Sequence, residues 1–262
     1  MTYPLDQALI EYLVATAKEA GNVIMEVYNT EFEVRRKSDK SPVTEADEKA
    51  EGIIRLALKK RTPNIPFVGE EAYSAGHQPD ISGGLFWLVD ALDGTMEFIQ
   101  HRSEFTVNIA LVENGSPIFG VVHAPAKKFT YWGWAAGAYL EVEGRGKHAI
   151  KTRAPDKAGL TIAMSRSHRA GEDDYLKDFD VKKTITSGSS LKFCLVADGQ
   201  ADLYLRLGPT SEWDTAAGHA VLLFAGGQMT KLDGTPFVYG KSDIRNPYFM
   251  AQGQPNTSMK AR

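Results

Sequence analysis

Apolar residues recur at helical spacing over residues 5–28, at Leu9, Ile10, Leu13, Val14, Ala17, Gly21, Ile24, Met25 and Tyr28. They form one continuous face, with Lys18, Glu19 and Glu26 mostly off it, and predict a packed helix. Residues 31–37 alternate like an extended arm. A polar loop from Ser38 to Asp47 follows. Within it Thr44 and Asp47 are spaced as a capping box for a helix whose Ile53, Ile54, Ala57 and Leu58 face inward. Pro63 and Pro66 end that segment. Ile65, Phe67 and Val68 then lead through a short strand to Gly69-Glu70-Glu71, and residues 72–84 read as a flexible flap.

Trp87 to Asp90 is a short buried strand, with a sharp turn expected at Gly94. Apolar runs at 105–112 and 118–122 flank Asn114-Gly115, a strong hairpin signal. Further strands are predicted at 130–135 and 138–143. The Gly-, Lys- and Pro-containing stretch 144–155 is expected to separate two halves. Beyond it come a strand at 160–164, the loop Ser165-Arg166-Ser167-His168, and a helix including 173–178. A helix at 189–197, a strand at 202–205 and a helix at 213–225 ended by Gly226-Gly227 complete the pattern. A final strand, an Asp233-Gly234 turn and a loose tail from residue 253 close the chain. Alternating strands and helices predict an α/β second half.

Composition narrows the function classes. With 262 residues, 43% apolar and 24% charged, the chain can bury a sizeable core as one domain or two closely packed ones. A net charge of −3 argues against a dedicated nucleic-acid binder. The single cysteine, Cys194, excludes an internal disulfide and a cysteine-rich zinc site, and suits a reducing compartment. Residues 1–6 carry no basic-then-apolar leader pattern. No run reaches the roughly 18 apolar residues of a membrane span. The expectation is a cytoplasmic protein, with a peripheral seat on the inner face of the cell membrane left open.

The candidate chemistry centres on Asp90-Ala91-Leu92-Asp93-Gly94-Thr95. At an effective dielectric of about 20, two carboxylates roughly 4 Å apart repel by about 4 kcal/mol, which a cation would relieve. Hard divalent ions such as Mg²⁺ prefer such oxygen ligands. Glu70 and Asp214 join the pair as further acids placed next to predicted strand or helix ends. Taken singly each has a plain structural reading: Glu70 as a solvated loop acid, Asp214 as a capping box with Ser211, Asp47 as one with Thr44. Together they suit a metal-dependent phosphoester site. Backbone N–H groups at Gly94 and Thr95 could cradle a phosphate. Asp47 could accept from the Thr95 hydroxyl and leave its oxygen to accept from an attacking water, since a threonine alone is too weak a base.

Other phosphatase chemistries fit less well. The aspartyl-phosphate pattern D-x-D-x-T fails because residue 92 is Leu. Cys194 lies in a largely apolar predicted helix and reads as core. The six histidines, His77, His101, His123, His148, His168 and His219, contain no H-x-x-x-H pair. His219 reads as a helix-face residue.

Gly69-Glu70-Glu71, the Asp90 to Thr95 run and Trp213-Asp214-Thr215-Ala216-Ala217-Gly218 together resemble the lithium-sensitive, magnesium-dependent phosphomonoesterases related to inositol monophosphatase. The match extends from Pro42-Val43-Thr44 to the last helix. Met96-Glu97-Phe98-Ile99, Glu104 to Leu111, Ser165 to His168 and Gly188 to Ala197 most resemble the 3′(2′),5′-bisphosphate nucleotidases of the CysQ type, which convert adenosine 3′,5′-bisphosphate to AMP and phosphate. The resemblance implies Mg²⁺, as two or three ions, held by Glu70, Asp90, the Leu92 carbonyl, Asp93 and Asp214, with water activation by Thr95 and Asp47. On the nucleotide side it implies His168, Ser189, Lys192 and Arg206, whose cations suit the 5′-phosphate. The plain reading of Lys192 and Arg206 is ordinary surface charge. Two positions depart from the family pattern. Ala91 stands where Pro is usual and keeps the ligands; Met96 stands where Lys is usual and removes a cation beside the phosphate site.

The implied architecture is a layered αβαβα sandwich of the inositol-monophosphatase and fructose-bisphosphatase kind, with an α+β N-terminal half. Residues 1–154 would supply most metal ligands and the water-activating pair. Residues 155–262 would supply Asp214 and the nucleotide pocket. The expected partner is a small phosphorylated nucleotide, with no nucleic acid and no membrane-spanning segment, in a monomer or homodimer. The alternatives are an inositol, histidinol or sugar phosphatase of the same fold and, from another class, a non-catalytic nucleotide-binding module, which would have no need of a water-activating pair.

Overall fold

The computed structural model describes residues 3–37, 42–166 and 171–254. Helix α1, Gln7–Tyr28, starts where the Asp6 side chain accepts from the Leu9 N–H, and it buries the apolar stripe from Leu9 to Val27. The expected arm shrinks to a two-residue strand β1, Arg35–Arg36, paired antiparallel with β2, Pro42–Val43. Helix α2, Glu45–Arg61, opens on the Thr44/Asp47 capping box. Strand β3, Phe67–Gly69, runs into α3, Glu70–Ser74, so the start of the expected flap is helical.

Strand β4, Leu85–Asp93, is longer than expected and continues through Asp90, with a register shift between Asp90 and Asp93. Gly94 makes the turn at φ +91°, and the short helix α4, Thr95–Ile99, follows. An antiparallel meander comes next: β5 Thr106–Glu113, β6 Ser116–Ala124, β7 Phe129–Trp134, β8 Gly137–Val142 and β9 Gly146–Ile150. With β3 parallel to β4, these form one seven-stranded sheet in sequence order. Strand β9 lies inside the stretch expected to be a linker. Its exposed Gly-Lys-His-Ala-Ile has no buried face to signal it, and it forms because the edge of β8 offers a ladder.

Strand β10, Leu160–Ser165, begins the second sheet and precedes the short helix α5, Glu172–Tyr175. Strand β11, Val181–Ser187, is absent from the sequence expectation because it is a largely exposed edge strand. Helix α6, Leu191–Ala197, strand β12, Leu203–Arg206, helix α7, Glu212–Phe224, and strands β13, Gln228–Lys231, and β14, Phe249–Gln252, complete the chain. The five-stranded order is β11-β10-β12-β14-β13.

Three apolar clusters define the layers. One lies between α1/α2 and one face of the large sheet, where Trp87, Val89, Ile109 and Leu111 point. The central one joins the opposite face, through Phe86, Leu88, Ala110 and Val112, to α6, α7 and the small sheet. The third covers the far side of the small sheet through Ile162, Met164, Leu203 and Leu205. This is the expected αβαβα sandwich, and the period-two alternation along β4 and β5 builds it. Helix α7 sits close on the large sheet because Gly120 and Gly133 lack side chains. A Cβ on Gly120 would meet the Ala217 carbonyl at 2.4 Å. That approach brings the start of α7, with Asp214, to the carboxyl end of β4.

Candidate active site

Glu70, Asp90 and Asp214 each place a carboxylate oxygen within 4.8 Å of the others. They come from the start of α3, from inside β4 and from the first turn of α7, so three elements distant in sequence meet at one point. Glu70 is positioned by a residue that sequence reasoning misses. Glu51 on α2 is buried and accepts from the N–H groups of Glu71 and Ala72, both at 2.8 Å, capping α3. Gly69 is required there, since a Cβ would meet the Glu51 carboxylate at 2.6 Å. Burial and the neighbouring acids, Glu70 and Asp93 among them, push Asp90 and Asp214 well above the usual carboxylate range. Such a cluster is a donor set for a hard divalent ion.

The two capping boxes and the site are not alternatives. Asp47 Oδ2 accepts from the Thr44 N–H at 2.8 Å and the Thr44 hydroxyl at 2.7 Å, while Oδ1 accepts from the Thr95 hydroxyl at 3.3 Å. Thr95 Oγ1 also lies 3.3 Å from the Leu92 carbonyl oxygen. Asp47 is buried, and burial raises its pKa more than the Thr44 hydrogen bonds lower it. Asp214 Oδ2 accepts from the Ser211 N–H at 2.8 Å in the second box.

Asp93 lies outside the three-acid group and faces the other half of the molecule. Its Oδ2 accepts from Ser189 Oγ at 2.6 Å, from the Ser190 N–H at 2.7 Å and from Asn108 Nδ2 at 3.4 Å. Ser189 holds φ at +54°, a left-handed conformation that costs a non-glycine residue roughly 1–2 kcal/mol. Lys37, a second residue that sequence reasoning misses, places its ammonium 2.6 Å from both Glu70 and Glu71. Burial opposes its charge, but these two carboxylates hold it above the ordinary lysine value. Burial likewise lifts Glu71 to about 7.

Glu70, Asp93, Thr95 and Asp214 line one cleft of about 470 Å³ together with Ser189, Lys192 and Arg206. The surface-charge reading of the two cations is wrong. Lys192 is 4% exposed and Arg206 9%. Lys192 donates to the carbonyls of Ser187 and Ser189, and burial pulls its pKa down to about 8. Arg206 donates to Ser165 Oγ at 2.9 Å and to the Pro209 carbonyl at 3.1 Å, and its Nε has no partner among the described residues. Met96 and Gly94 line the same cleft, with Met96 half exposed. His168 falls outside the described residues. His219 is a buried helix residue bonded to the Tyr239 hydroxyl, and Cys194 is core, both as expected.

Converging carboxylates, a threonine–aspartate pair and buried cations gathered in an αβαβα sandwich are the features of a metal-dependent phosphatase. The inositol monophosphatase family model matches residues 5–256, and the chain belongs to that family. Among curated relatives it is 44% identical over 245 residues to the 3′(2′),5′-bisphosphate nucleotidase CysQ of Salmonella typhimurium, covering 92% of this chain and 98% of that protein. The enzyme of the same name from Escherichia coli K12 is 42% identical over the same shares. The crystal structure of CysQ from Bacteroides thetaiotaomicron superposes with a TM-score of 0.79 at 34% identity, covering 95% and 98% of the two chains. No helix among the described residues is long and apolar enough to cross a membrane.

Proposed function

We propose that this chain is a Mg²⁺-dependent 3′(2′),5′-bisphosphate nucleotidase that converts adenosine 3′,5′-bisphosphate and water to AMP and phosphate. The observation that carries the reading is the group of three converging carboxylates, two of which, Glu70 and Asp214, line the same cleft as two buried cations, Lys192 and Arg206. One phosphate to be cleaved and one to be held is the chemistry such a cleft accommodates. A monophosphate such as inositol 1-phosphate would leave Lys192 and Arg206 without an anion, which is costly for buried cations.

Glu70, Asp90, Asp93, Asp214 and the Leu92 carbonyl would hold Mg²⁺. When bound, the ions supply positive charge to the phosphoryl oxygens and acidify coordinated water. The chain's own residues do the rest. Asp47 holds the Thr95 hydroxyl proton, so that Thr95 Oγ1 accepts a hydrogen bond from the water and aims it at phosphorus. A water oxygen–phosphorus bond forms as the phosphorus–O3′ bond breaks; the attacking water gives one proton through Thr95 Oγ1 to Asp47, and O3′ takes one from solvent as it departs as the AMP hydroxyl. Asp47 has a raised pKa and so is a stronger base than a free carboxylate. Lys192, Arg206 and Ser189, with His168, would bind the 5′-phosphate and nucleoside, and Gly94 and Thr95 the phosphoryl group. In this reading residues 1–154 carry the hydrolytic machinery, residues 155–262 the nucleotide pocket, and the place of action is the cytoplasm. Phosphate release from adenosine 3′,5′-bisphosphate and from inositol 1-phosphate, each with and without Mg²⁺, tests it. Faster turnover of the inositol phosphate would overturn the substrate assignment, and no Mg²⁺-dependent release from either would overturn the enzyme.

A further inference from the structure

Strand β5 ends on the polar Glu113, but its other two polar residues, Thr106 and Asn108, are fully buried on the face toward the cleft. A buried amide in a strand needs partners. Asn108 finds them on two sides. Its Nδ2 donates to Asp93 Oδ2 at 3.4 Å, and its Oδ1 accepts from Ser190 Oγ at 2.7 Å. Thr106 closes the network, with Oγ1 3.2 Å from Asn108 Oδ1, 2.8 Å from Ser190 Oγ and against Ser189 Oγ.

The loop of Gly188, Ser189 and Ser190 is therefore clamped onto β5. Glu104, just before that strand, accepts from the Gly188 N–H at 3.0 Å, and a Cβ on Gly188 would meet the Glu104 carbonyl at 2.8 Å. The same loop supplies two donors to Asp93 and gives the Ser189 carbonyl to the Lys192 ammonium. Asp93 and Lys192, both lining the cleft, thus share one short segment, and Asn108 touches both that segment and Asp93.

We propose that Asn108 is a positioning residue that ties the orientation of Asp93 to the nucleotide-facing loop, so that nucleotide and divalent cation each tighten the other's binding. This rests on the reading above, in which Asp93 ligates the metal and Ser189 and Lys192 face the nucleotide. A phosphate drawn to Lys192 fixes the loop, and the fixed loop holds Asp93 Oδ2 while the other carboxylate oxygen serves the ion. Linkage makes the effect reciprocal.

Calorimetric titration of the full chain with Mg²⁺, with and without saturating AMP, measures the coupling directly, without turnover. In the unmodified protein AMP is expected to tighten Mg²⁺ by at least about fivefold, the lower end of ordinary coupling between sites. Asn108→Ala should bring that factor close to one. Ser190→Ala, which removes the hydroxyl bonded to Asn108 and Thr106 and so loosens the loop from the other end, should do the same, and Ser190→Thr should restore it; thermal melting establishes that each variant is folded. A purely structural role would lower stability and leave the coupling factor intact, and that result overturns the inference. So does an unmodified protein that binds both ligands independently, in which case the proposed function still stands. Failure of the unmodified protein to bind either ligand would instead remove the functional reading and the inference with it.

Discussion

Asp47 and Asp214 hold the same position in two different helices. Each is the third residue, and each accepts from its own N-cap N–H with one carboxylate oxygen. Two helix starts are thereby fixed, and the same two residues serve the site: Asp47 accepts from the Thr95 hydroxyl, and Asp214 converges with Glu70 and Asp90. Helix formation and site formation are one event at these positions, which explains how short local motifs place groups that lie far apart in the chain.

Separating the two duties of Asp47 gives a first prediction. Asp47→Asn keeps an acceptor for the Thr44 N–H but removes the base behind Thr95. Turnover should fall by about 10²–10⁴-fold, the usual contribution of a general base. Thr44→Val removes the hydroxyl cap and should cost about 1 kcal/mol of stability with a far smaller loss of turnover. Steady-state rates and denaturant midpoints for the two variants check the separation. Equal kinetic losses would mean that Asp47 acts only through the helix.

Asp90 argues for a trade of stability against binding. It is buried beside Glu70, Asp93 and Asp214, and its charge is unfavourable in the metal-free protein. Asp90→Asn should raise the metal-free melting temperature by about 2–4 °C, equivalent to about 1 kcal/mol at this size. Mg²⁺ at about 100 times its dissociation constant should stabilise the unmodified protein by about 2.7 kcal/mol. The variant should lose that response together with activity. Melting curves with and without Mg²⁺ read both effects, and an unchanged Mg²⁺ response would remove Asp90 from the ligand set.

What can be read from the chain alone divides by the range of the forces involved. The Asn114-Gly115 hairpin is legible because two consecutive residues with φ of +49° and +81° satisfy a local backbone demand. The capping boxes, the α1 stripe and the Gly94 turn are legible for the same reason. Strands β9 and β11 are not, because exposed edge strands are decided by the neighbour they pair with. Within the site, Asp90 and Asp214 announce themselves through their motifs. Glu51 does not, because its task is to cap a helix that starts 19 residues later. Lys37 and Asn108 act on partners that only the folded chain brings near, and Lys192 looks like surface charge until the second sheet covers it.

Lys192 supplies a prediction with a definite sign. Burial lowers its pKa from the ordinary 10.5 to about 8, so the ammonium is lost as pH rises through about 8. A charge-assisted contact to the 5′-phosphate contributes about 1.5–3 kcal/mol. The KM for adenosine 3′,5′-bisphosphate should therefore climb above pH 8 toward a plateau more than about tenfold higher. Lys192→Met should show the high KM at all pH values. Stability moves the other way: between about 8 and 10.5 the unfolded chain binds the proton that the folded chain has released, so raising pH through that window stabilises the fold. A KM that is flat from pH 7 to 9.5 would exclude Lys192 from phosphate binding.

Two buried histidines, His123 and His219, govern stability on the acid side. His123 donates to or accepts from Thr130 Oγ1 at 2.9 Å, His219 is bonded to the Tyr239 hydroxyl at 3.1 Å, and burial lowers both pKa values from 6.5 to about 4. Below 6.5 the unfolded chain takes up protons that the folded chain refuses, so stability is full above 6.5 and is lost as pH falls toward 4. At 1.36 kcal/mol per unit the loss is about 3 kcal/mol for each histidine. Asp90 and Asp214, with raised pKa values, pull in the opposite direction over the same range. The informative quantity is therefore the difference between the unmodified protein and His219→Gln, taken from denaturant midpoints at pH 7 and pH 4.5. The variant should lose less stability on acidification, by on the order of 2–3 kcal/mol. Parallel losses in the two proteins would mean that His219 is already protonated in the fold.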